Sequence, residues 1–204
     1  GAVKGVGEAN MRAIVAEREA HGPYKDISDF IHRTDIKQIN RRQLEQLIKA
    51  GAFDCLEKNR GRLFANVETI MRHIASSSEL KTSEQASLFG NEELHAKVKL
   101  ADKPDWPELE KLKLEAEAIG FYLSAHPLDS YGRGMERLGV KNCSEIFRNI
   151  RTGDSIRAKV AGCVNSFQKR ISKTGNKYAF LELSDASGSF EGILFSEGLA
   201  RYEE

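Results

Sequence analysis

The sequence has few cysteines and no long apolar run. Its 204 residues include only Cys55, Cys143 and Cys163, which are odd in number, far apart and in no CxxC pair. This spacing argues against a disulfide framework and a structural zinc site. No stretch approaches the roughly 20 apolar residues that a helix needs to cross a bilayer. We therefore predict reduced cysteines and an intracellular, cytoplasmic protein without a membrane partner.

Motifs of catalysis are also missing. The sequence contains no P-loop and no dinucleotide-binding fingerprint. Its five histidines have no ligand spacing and stand beside no plausible nucleophile. We therefore predict no catalytic residue and no metal ligand in this chain. The sequence starts without Met in the middle of an organised motif, which is typical of a piece of a longer protein.

A net charge of +1 hides two basic segments that flank an acidic one. Residues 33–62 carry eight Lys or Arg against four acids, and residues 151–180 carry seven against one. Residues 79–118 carry six against ten acids. A single basic side chain is usually solvated surface charge, but clustering in two segments favours a polyanionic partner, most simply nucleic acid.

Helical periodicity dominates the first half of the sequence. The first helix is predicted to end at Gly22-Pro23, and Ser28 and Asn40 are predicted to cap the next two helices. Residues 60–75 have the clearest helical period. The period then stops at three consecutive serines, so residues 76–105 are predicted to be a linker. A further helix is predicted after Trp106.

The period changes from 3.6 to two after Ser155. Residues 155–160 alternate between apolar and basic side chains, and residues 177–183 and 189–195 predict two further strands. Gly162 predicts a bulge or a sharp bend in the first strand, and residues 167–177 predict a basic arm between the first two strands. The fold class is therefore α+β and multi-domain, with helices followed by an antiparallel β unit that resembles the start of an OB-fold.

Lys4, Gly5, Val6 and Gly7 directly precede the first predicted helix. Two glycines allow a tight turn whose backbone N–H groups, beside a helix N-terminus, suit a phosphate oxygen. Lys4 adds a full positive charge. Such a turn between two helices is the helix-hairpin-helix pattern, which binds the DNA backbone without reading bases. A plain turn between two helices is the alternative.

Two further groups of basic residues are predicted to contact DNA. A degenerate second hairpin comprises a helix at 40–49 and a turn at 50–54, without a GxG, and supplies Arg41, Arg42, Arg60 and Arg62. The β unit supplies Arg157, Lys169, Arg170, Lys173 and Lys177. Its aromatic residues are candidates for stacking on the bases of a single strand, with core packing as the alternative: Phe167, Tyr178 and Phe180.

Leu88 and Phe89 stand side by side in the polar linker, three residues after Gln85. A pocket on a partner protein can bind two adjacent apolar side chains, each worth about 1.5–3 kcal/mol when fully buried. The alternative is that this pair anchors a loop on the protein's own helices.

"QASLF", with Gln85, Ser87, Leu88 and Phe89, resembles the pentapeptide with which bacterial replication proteins bind the sliding clamp. The surrounding segments are "GAVKGVGEAN", "NRRQLEQLIKAGAFD", "WPELEKLKLEAEAIGFYLSAHPLD" and "GNKYAFLELSDASGSFEGILF". In this order, and over nearly the whole chain, they look like the C-terminal part of the bacterial replicative DNA polymerase III alpha subunit family.

The resemblance implies an organisation in four parts. Residues 1–75 would form a tandem helix-hairpin-helix domain on duplex DNA, and residues 76–105 a linker that carries the peptide for the sliding clamp (the beta subunit). Residues 106–150 would be a helical connector. Residues 151–204 would be the N-terminal part of an OB domain on single-stranded template. The first hairpin would lack its leading helix, and the OB-fold would stop after about three strands.

The resemblance also implies that the parent chain is a DNA-directed DNA polymerase, a nucleotidyltransferase that uses magnesium. The catalytic aspartates of that family lie upstream of residue 1, so this segment is expected to hold no cofactor and not to polymerise DNA. Other replisome subunits are possible partners. A second hypothesis is a structural scaffold that docks such subunits without binding DNA directly.

Overall fold

The structure is a computed structural model that describes residues 2–82, 97–151 and 153–202. Contacts divide the chain into two units, Gly1–Leu123 and Ser124–Glu204. The described part of the first unit is helical, with α1 Glu8–His21, α2 Ile27–Arg33, α3 Arg41–Lys49, α4 Arg60–Ala65, α5 Val67–Thr82 and α6 Glu108–Ile119.

The described part of the second unit combines short helices with a sheet. Its elements are a 3₁₀ helix Pro127–Tyr131, α7 Gly132–Arg137, α8 Cys143–Asn149, β1 Cys163–Ile171, β2 Lys177–Asp185, β3 Gly188–Leu194 and α9 Ser196–Tyr202. Helices followed by an antiparallel three-stranded sheet confirm the predicted α+β class. The finer four-part division of the chain stays a prediction.

The core of the first unit is formed by the apolar faces of α2 to α5. Its most deeply buried side chains repeat at helical spacing and include Ile31, Leu44, Ile48, Leu63, Ile70 and Ile74. Phe30 packs edge-to-face against Phe53, with ring centroids 4.9 Å apart. Burial of each such side chain contributes on the order of 1.5–3 kcal/mol.

Helix caps confirm one prediction from the sequence and correct another. Asn40 caps α3 in a capping box: its side chain accepts the N–H of Gln43, and its own N–H donates to the side chain of Gln43. The prediction that Ser28 caps α2 is wrong. The cap is Asp26, whose side chain accepts the hydrogen bond from the N–H of Asp29 at 2.9 Å. Ser28 is instead buried in the first turn of α2, two residues after the cap, and its hydroxyl accepts from the backbone N–H of Val98. Aspartate and serine are equally good N-caps, so the start of α2 is decided by the burial of Ser28, which leaves the cap to Asp26.

The prediction of one helix over 60–75 is wrong in two respects. The helix breaks at Asn66, and α5 then continues through the three serines to Thr82. The hydroxyl of Ser76 donates to the carbonyl of Arg72 at 3.1 Å, and that of Ser78 donates to the carbonyl of Ile74 at 2.9 Å. A serine whose hydroxyl bonds back to the preceding turn is tolerated in a helix, so the predicted linker starts later than residue 76.

Residues 97–105 are hydrogen-bonded to the helical core, and we call them the strap. The amide of Asn59 donates to the carbonyl of Lys103 at 2.8 Å. The carboxylate of Asp105 accepts from the N–H of Gly61 at 3.0 Å. A Cβ on Gly61 would lie 2.7 Å from the carbonyl oxygen of Pro104, so glycine is required for this approach. The strap leads into Trp106, whose ring packs on Phe64.

The sheet has the antiparallel order β1-β2-β3. The predicted strands at 177–183 and 189–195 correspond to β2 and β3, but the first strand is shifted. Residues 155–160 are exposed and, apart from an isolated bridge at Lys159, outside the sheet. β1 is built from Cys163–Ile171, which includes half of the predicted basic arm. Pairing with β2 over nine residues outweighs the local alternation of 155–160.

The irregularity predicted at Gly162 lies later in the chain. The register of β1 shifts between Val164 and Ser166. Gly162 precedes the strand, and a Cβ there would lie 3.0 Å from the side chains of Leu183 and Phe190. Glycine is therefore explained by close packing rather than by a bulge. The remaining part of the basic arm is the tight β1–β2 turn, closed by a hydrogen bond from the N–H of Ser172 to the carbonyl of Asn176.

Candidate nucleic-acid interface

The turn at residues 4–7 opens α1 without a side-chain cap. Gly5 has φ +74°, in the left-handed region that glycine adopts readily. Gly7 is the N-cap of α1 and offers no side chain to its first turn. The first backbone N–H groups of a helix have no intrahelical acceptor, so this N-terminus presents donors and a positive dipole end to an anion. The side chain of Val6 packs against the apolar core and so anchors the turn.

The N-terminus of α3 lies beside this turn. A Cβ on Gly5 would be 3.8 Å from Nε of Arg42, and a Cβ on Gly7 would be 3.6 Å from Nε2 of Gln43. The amide of Asn10 donates to Oε1 of Gln43 at 3.3 Å. Two helix N-termini and the exposed guanidinium of Arg42 therefore meet at one place. The sequence analysis did not indicate a role for Asn10 or Gln43 at this turn.

Lys4 contacts the C-terminal end of α6, which lies beside the turn. Its backbone N–H donates to the carbonyl of Ala118 at 2.8 Å. A Cβ on Gly120 would lie 3.3 Å from Cε and 3.4 Å from Nζ of Lys4. The ammonium thus lies near the C-terminal end of α6, where the helix dipole favours a cation.

Arg41 and Arg62 are engaged by carboxylates. The exposed guanidinium of Arg41 donates to Glu45 at 2.8 Å and also to Glu68. Arg62 is half-buried, with Nη1 3.0 Å from the carboxylate of Glu57. An exposed ion pair is worth little and exchanges readily, so Arg41 can turn to a phosphate more easily than Arg62.

Arg60 is buried and paired with carboxylates, a setting that does not favour its predicted contact with DNA. Its residue is 6 % exposed, and its guanidinium donates to Asp54 at 2.6 Å and to Glu115 at 3.1 Å. The hydrogen bonds to Asp54, with that to Glu115, raise the pKa of Arg60 in spite of its burial. A Cβ on Gly51 would collide with this guanidinium, 2.2 Å from Nη2. The arginine therefore fills the turn after α3 from inside.

The basic residues of the second unit are exposed. Alternation along the strands places Arg170, Tyr178 and Phe180 on one face of the sheet, and Phe167 with Lys169 on the other. Cζ of Arg170 lies 5.2 Å from the ring centroid of Phe180, whose ring stands edge-on to Tyr178. The other predicted DNA contacts of this unit are Arg157 before β1, Lys173 in the β1–β2 turn and Lys177 at the start of β2.

A shallow cavity of about 390 Å³ lies along the face that carries Arg170. Gln168 and Phe180 line its middle, and Glu182 and Glu191, paired across β2 and β3, line one side. Like charges directly opposite each other destabilise a sheet. The arginine and aromatic end suits a nucleotide, whereas the acidic side would repel a phosphate.

Comparisons with known proteins identify the family of the chain. The model of a family described as the helix-hairpin-helix motif matches residues 1–63. The chain is 33 % identical over 201 residues to DNA polymerase III subunit alpha of Caulobacter vibrioides, which covers 98 % of the chain and 18 % of that protein. It is 35 % identical over 207 residues to the same subunit of Vibrio cholerae, covering 100 % of the chain and 18 % of the relative.

The chain corresponds to one segment of the DNA polymerase III alpha subunit family. This finding confirms the resemblance drawn from the sequence. The subunit of Neisseria meningitidis serogroup A is 37 % identical over 192 residues, which cover 94 % of the chain and 16 % of the relative. The chain therefore spans less than a fifth of the length of these relatives.

Two features expected of this family need separate mention. Gln85, Ser87, Leu88 and Phe89, predicted to bind the sliding clamp, lie outside the described residues. Where the structure describes the chain, no group of three or more His, Cys, Asp or Glu side chains is placed to hold a metal ion. Over the same residues, no helix has both the length and the apolar character to span a bilayer.

Proposed function

We propose that the first unit binds the backbone of duplex DNA for a longer DNA-directed DNA polymerase, the alpha subunit of DNA polymerase III. The observation that carries this proposal is the meeting of the uncapped N-terminus of α1 with Arg42 at the N-terminus of α3. Backbone donors bind phosphate oxygens in any sequence, so this contact positions DNA without specifying bases. Magnesium and the polymerisation step would belong to other parts of that protein.

Binding to duplex DNA as a function of salt tests this proposal. Each phosphate that is neutralised lowers the logarithm of affinity by about 0.9 per tenfold rise in salt. Arg42→Ala should reduce the magnitude of this slope by about 0.9, which is the contribution of one phosphate contact. Arg18→Ala is the matched control, because Arg18 is an exposed arginine on α1, about 16 Å along the helix from Gly7. Equal slopes for both variants, or a strong base preference, would contradict the proposal.

We also propose that the sheet of the second unit contacts single-stranded template, as the start of an OB domain. Support comes from the neighbouring Arg170, Tyr178 and Phe180 on one face. Stacking of a base on an aromatic ring is worth about 1–3 kcal/mol. Tyr178→Ala should therefore weaken binding of an oligothymidine by roughly five-fold or more, while Phe167→Ala, on the opposite face, should leave it unchanged. The reverse order would move the contact to the other face.

Tethering to the sliding clamp is the third element of the proposal. The peptide "QASLF" supports it, together with the way its flanks are held. α5 reaches Thr82 on one side, and the strap begins at Lys97 on the other. A clamp contact at 85–89 would thus be linked to the DNA-binding unit through short connections. Two linked contacts can gain roughly 10²–10⁴-fold in avidity.

Pull-down of the chain by the clamp tests the tether. Leu88→Ala with Phe89→Ala should abolish capture and leave the melting temperature unchanged. Leu94→Ala, an apolar truncation in the same segment, should leave both unchanged. A melting temperature lowered by several degrees with capture retained would show that the pair packs on the protein's own helices. Capture of the clamp without any DNA binding would instead favour a docking scaffold.

A further inference from the structure

The C-terminal end of α6 contacts the turn at residues 4–7, which is proposed to bind phosphate. The carbonyl of Ala118 accepts the N–H of Lys4, the residue before Gly5, at 2.8 Å. Ala118 is fully buried, and Gly120 ends the helix with φ +108°. This backbone hydrogen bond joins the turn to another helix, so the position of Ala118 helps to set the position of the turn.

Glu115, about one turn before Ala118, ties α6 to its neighbours. Its residue is 1 % exposed, and its carboxylate accepts from Nη1 of Arg60 at 3.1 Å and from the N–H of Leu123 at 2.9 Å. A buried carboxylate is held strongly to its partner, because separation would leave an uncompensated charge in the interior. The partner Arg60 is itself bound to Asp54 and to the carbonyl of Lys49 at the end of α3.

Glu115 and Ala118 are three residues apart and therefore lie on the same side of α6. Contacts run from the end of α3 through Arg60 to Glu115, along one turn of α6, and from Ala118 to Lys4. From this chain of contacts we propose that Glu115 is a positioning residue for DNA binding. Its bond to Arg60 fixes the axial position and the rotation of α6. In that position Ala118 can bond to Lys4 and keep the Lys4–Gly7 turn in its phosphate-binding conformation. This inference rests on the proposed binding of duplex DNA.

The test compares Glu115→Ala with Glu117→Ala in the full chain. Glu117 is on the same helix, has the same charge and is exposed, with only a 3.7 Å ion pair to Lys49. Duplex binding is measured between 50 and 200 mM salt, together with hydrogen exchange at the amide of Lys4. For Glu115→Ala we expect the salt slope to fall by about 0.9, a roughly 3.5-fold smaller loss of affinity over this range. We also expect faster exchange at Lys4, and Glu117→Ala should match the unmodified chain in both.

A folded Glu115→Ala with unchanged slope and unchanged exchange at Lys4 would overturn the inference and leave Glu115 a stabilising residue only. If Glu115→Ala does not fold, Lys4→Pro and Lys4→Ala decide the matter. Both remove the ammonium, but only proline removes the N–H that bonds to Ala118. The slope should be lower for Lys4→Pro than for Lys4→Ala, and equal slopes would overturn the inference. If the unmodified chain shows no salt-dependent binding, the proposed function fails instead.

Discussion

The side-chain amide of Asn66 pairs with both backbone groups of Ala101. Nδ2 donates to the carbonyl at 3.0 Å, and Oδ1 accepts the N–H at 2.9 Å. Asn66 stands at the break between α4 and α5 and is 4 % exposed. The amide therefore bonds the strap in the way that a neighbouring strand would, and it does so where the helices are interrupted.

Replacing Asn66 should destabilise the first unit by removing this pair. Asn66→Leu has a similar volume but leaves the N–H and C=O of Ala101 without their partner, at about 1–3 kcal/mol for each group that stays buried. Urea unfolding followed by the fluorescence of Trp106 measures the change. Ser76→Ala removes an exposed hydrogen bond on α5 and should cost less than about 0.5 kcal/mol. Equal effects of the two variants would show that the strap contributes nothing.

Gly7→Ser should stabilise the fold and weaken DNA binding at once. A serine at the N-cap satisfies a first-turn N–H of α1 and is worth about 1 kcal/mol relative to alanine. The same hydroxyl would occupy the donors proposed for phosphate. Gly7→Ala is the matched control, since it adds a Cβ, 3.6 Å from Gln43, without the hydroxyl. Thermal melting and duplex affinity should rank the two variants in opposite orders, and a serine variant that binds DNA as tightly as the alanine variant would move the phosphate elsewhere.

Arg60→Met should lower the stability of the fold, whereas Arg42→Met should weaken DNA binding. Methionine at 60 leaves Glu115 buried without its guanidinium, a loss of about 3–5 kcal/mol in the free energy of unfolding. Methionine at 42 removes an exposed side chain, which should change stability by less than about 0.5 kcal/mol while lowering the salt slope of DNA binding. Denaturant melts and salt titrations of both variants check this. A stable Arg60→Met chain with a reduced slope would support the predicted contact of Arg60 with DNA.

The second unit should lose stability as the pH falls below about 6.5, the ordinary pKa of histidine. His126 is buried, with Nδ1 accepting the N–H of Leu128 at 3.2 Å and Nε2 3.2 Å from the hydroxyl of Ser184. Burial lowers the pKa of His126, against the opposing charges of Asp129 and Asp185. The unfolded chain therefore binds the proton more tightly, and unfolding becomes easier as His126 is protonated.

Hydrogen exchange of the β2 amides between pH 7.5 and 5, corrected for the intrinsic rate, measures this dependence. His126→Gln should flatten it. His73→Gln, at an exposed position on α5, should keep it. A pH dependence that survives in His126→Gln would assign the loss to another group.

Features that depend on near neighbours in the chain were predictable from the sequence. Asn40 with Gln43 three residues later determines the start of α3, and the glycines at 5 and 7 determine a tight turn before α1. β2 and β3 follow from their own alternation and the short turn between them. The similarity to the polymerase III alpha family was likewise visible in local motifs.

Contacts between distant residues decided the rest. Arg60 and Arg42 are both arginines near helix starts, yet a carboxylate 55 positions away, Glu115, buries the first and Gly5 lies beside the second. Val98, 70 positions from Ser28, occupies the hydroxyl that sequence reasoning had assigned to a cap. A charged or polar side chain takes the role that its surroundings can satisfy, because leaving a buried partner unpaired costs more than any local preference supplies. Those surroundings exist only after the chain has folded.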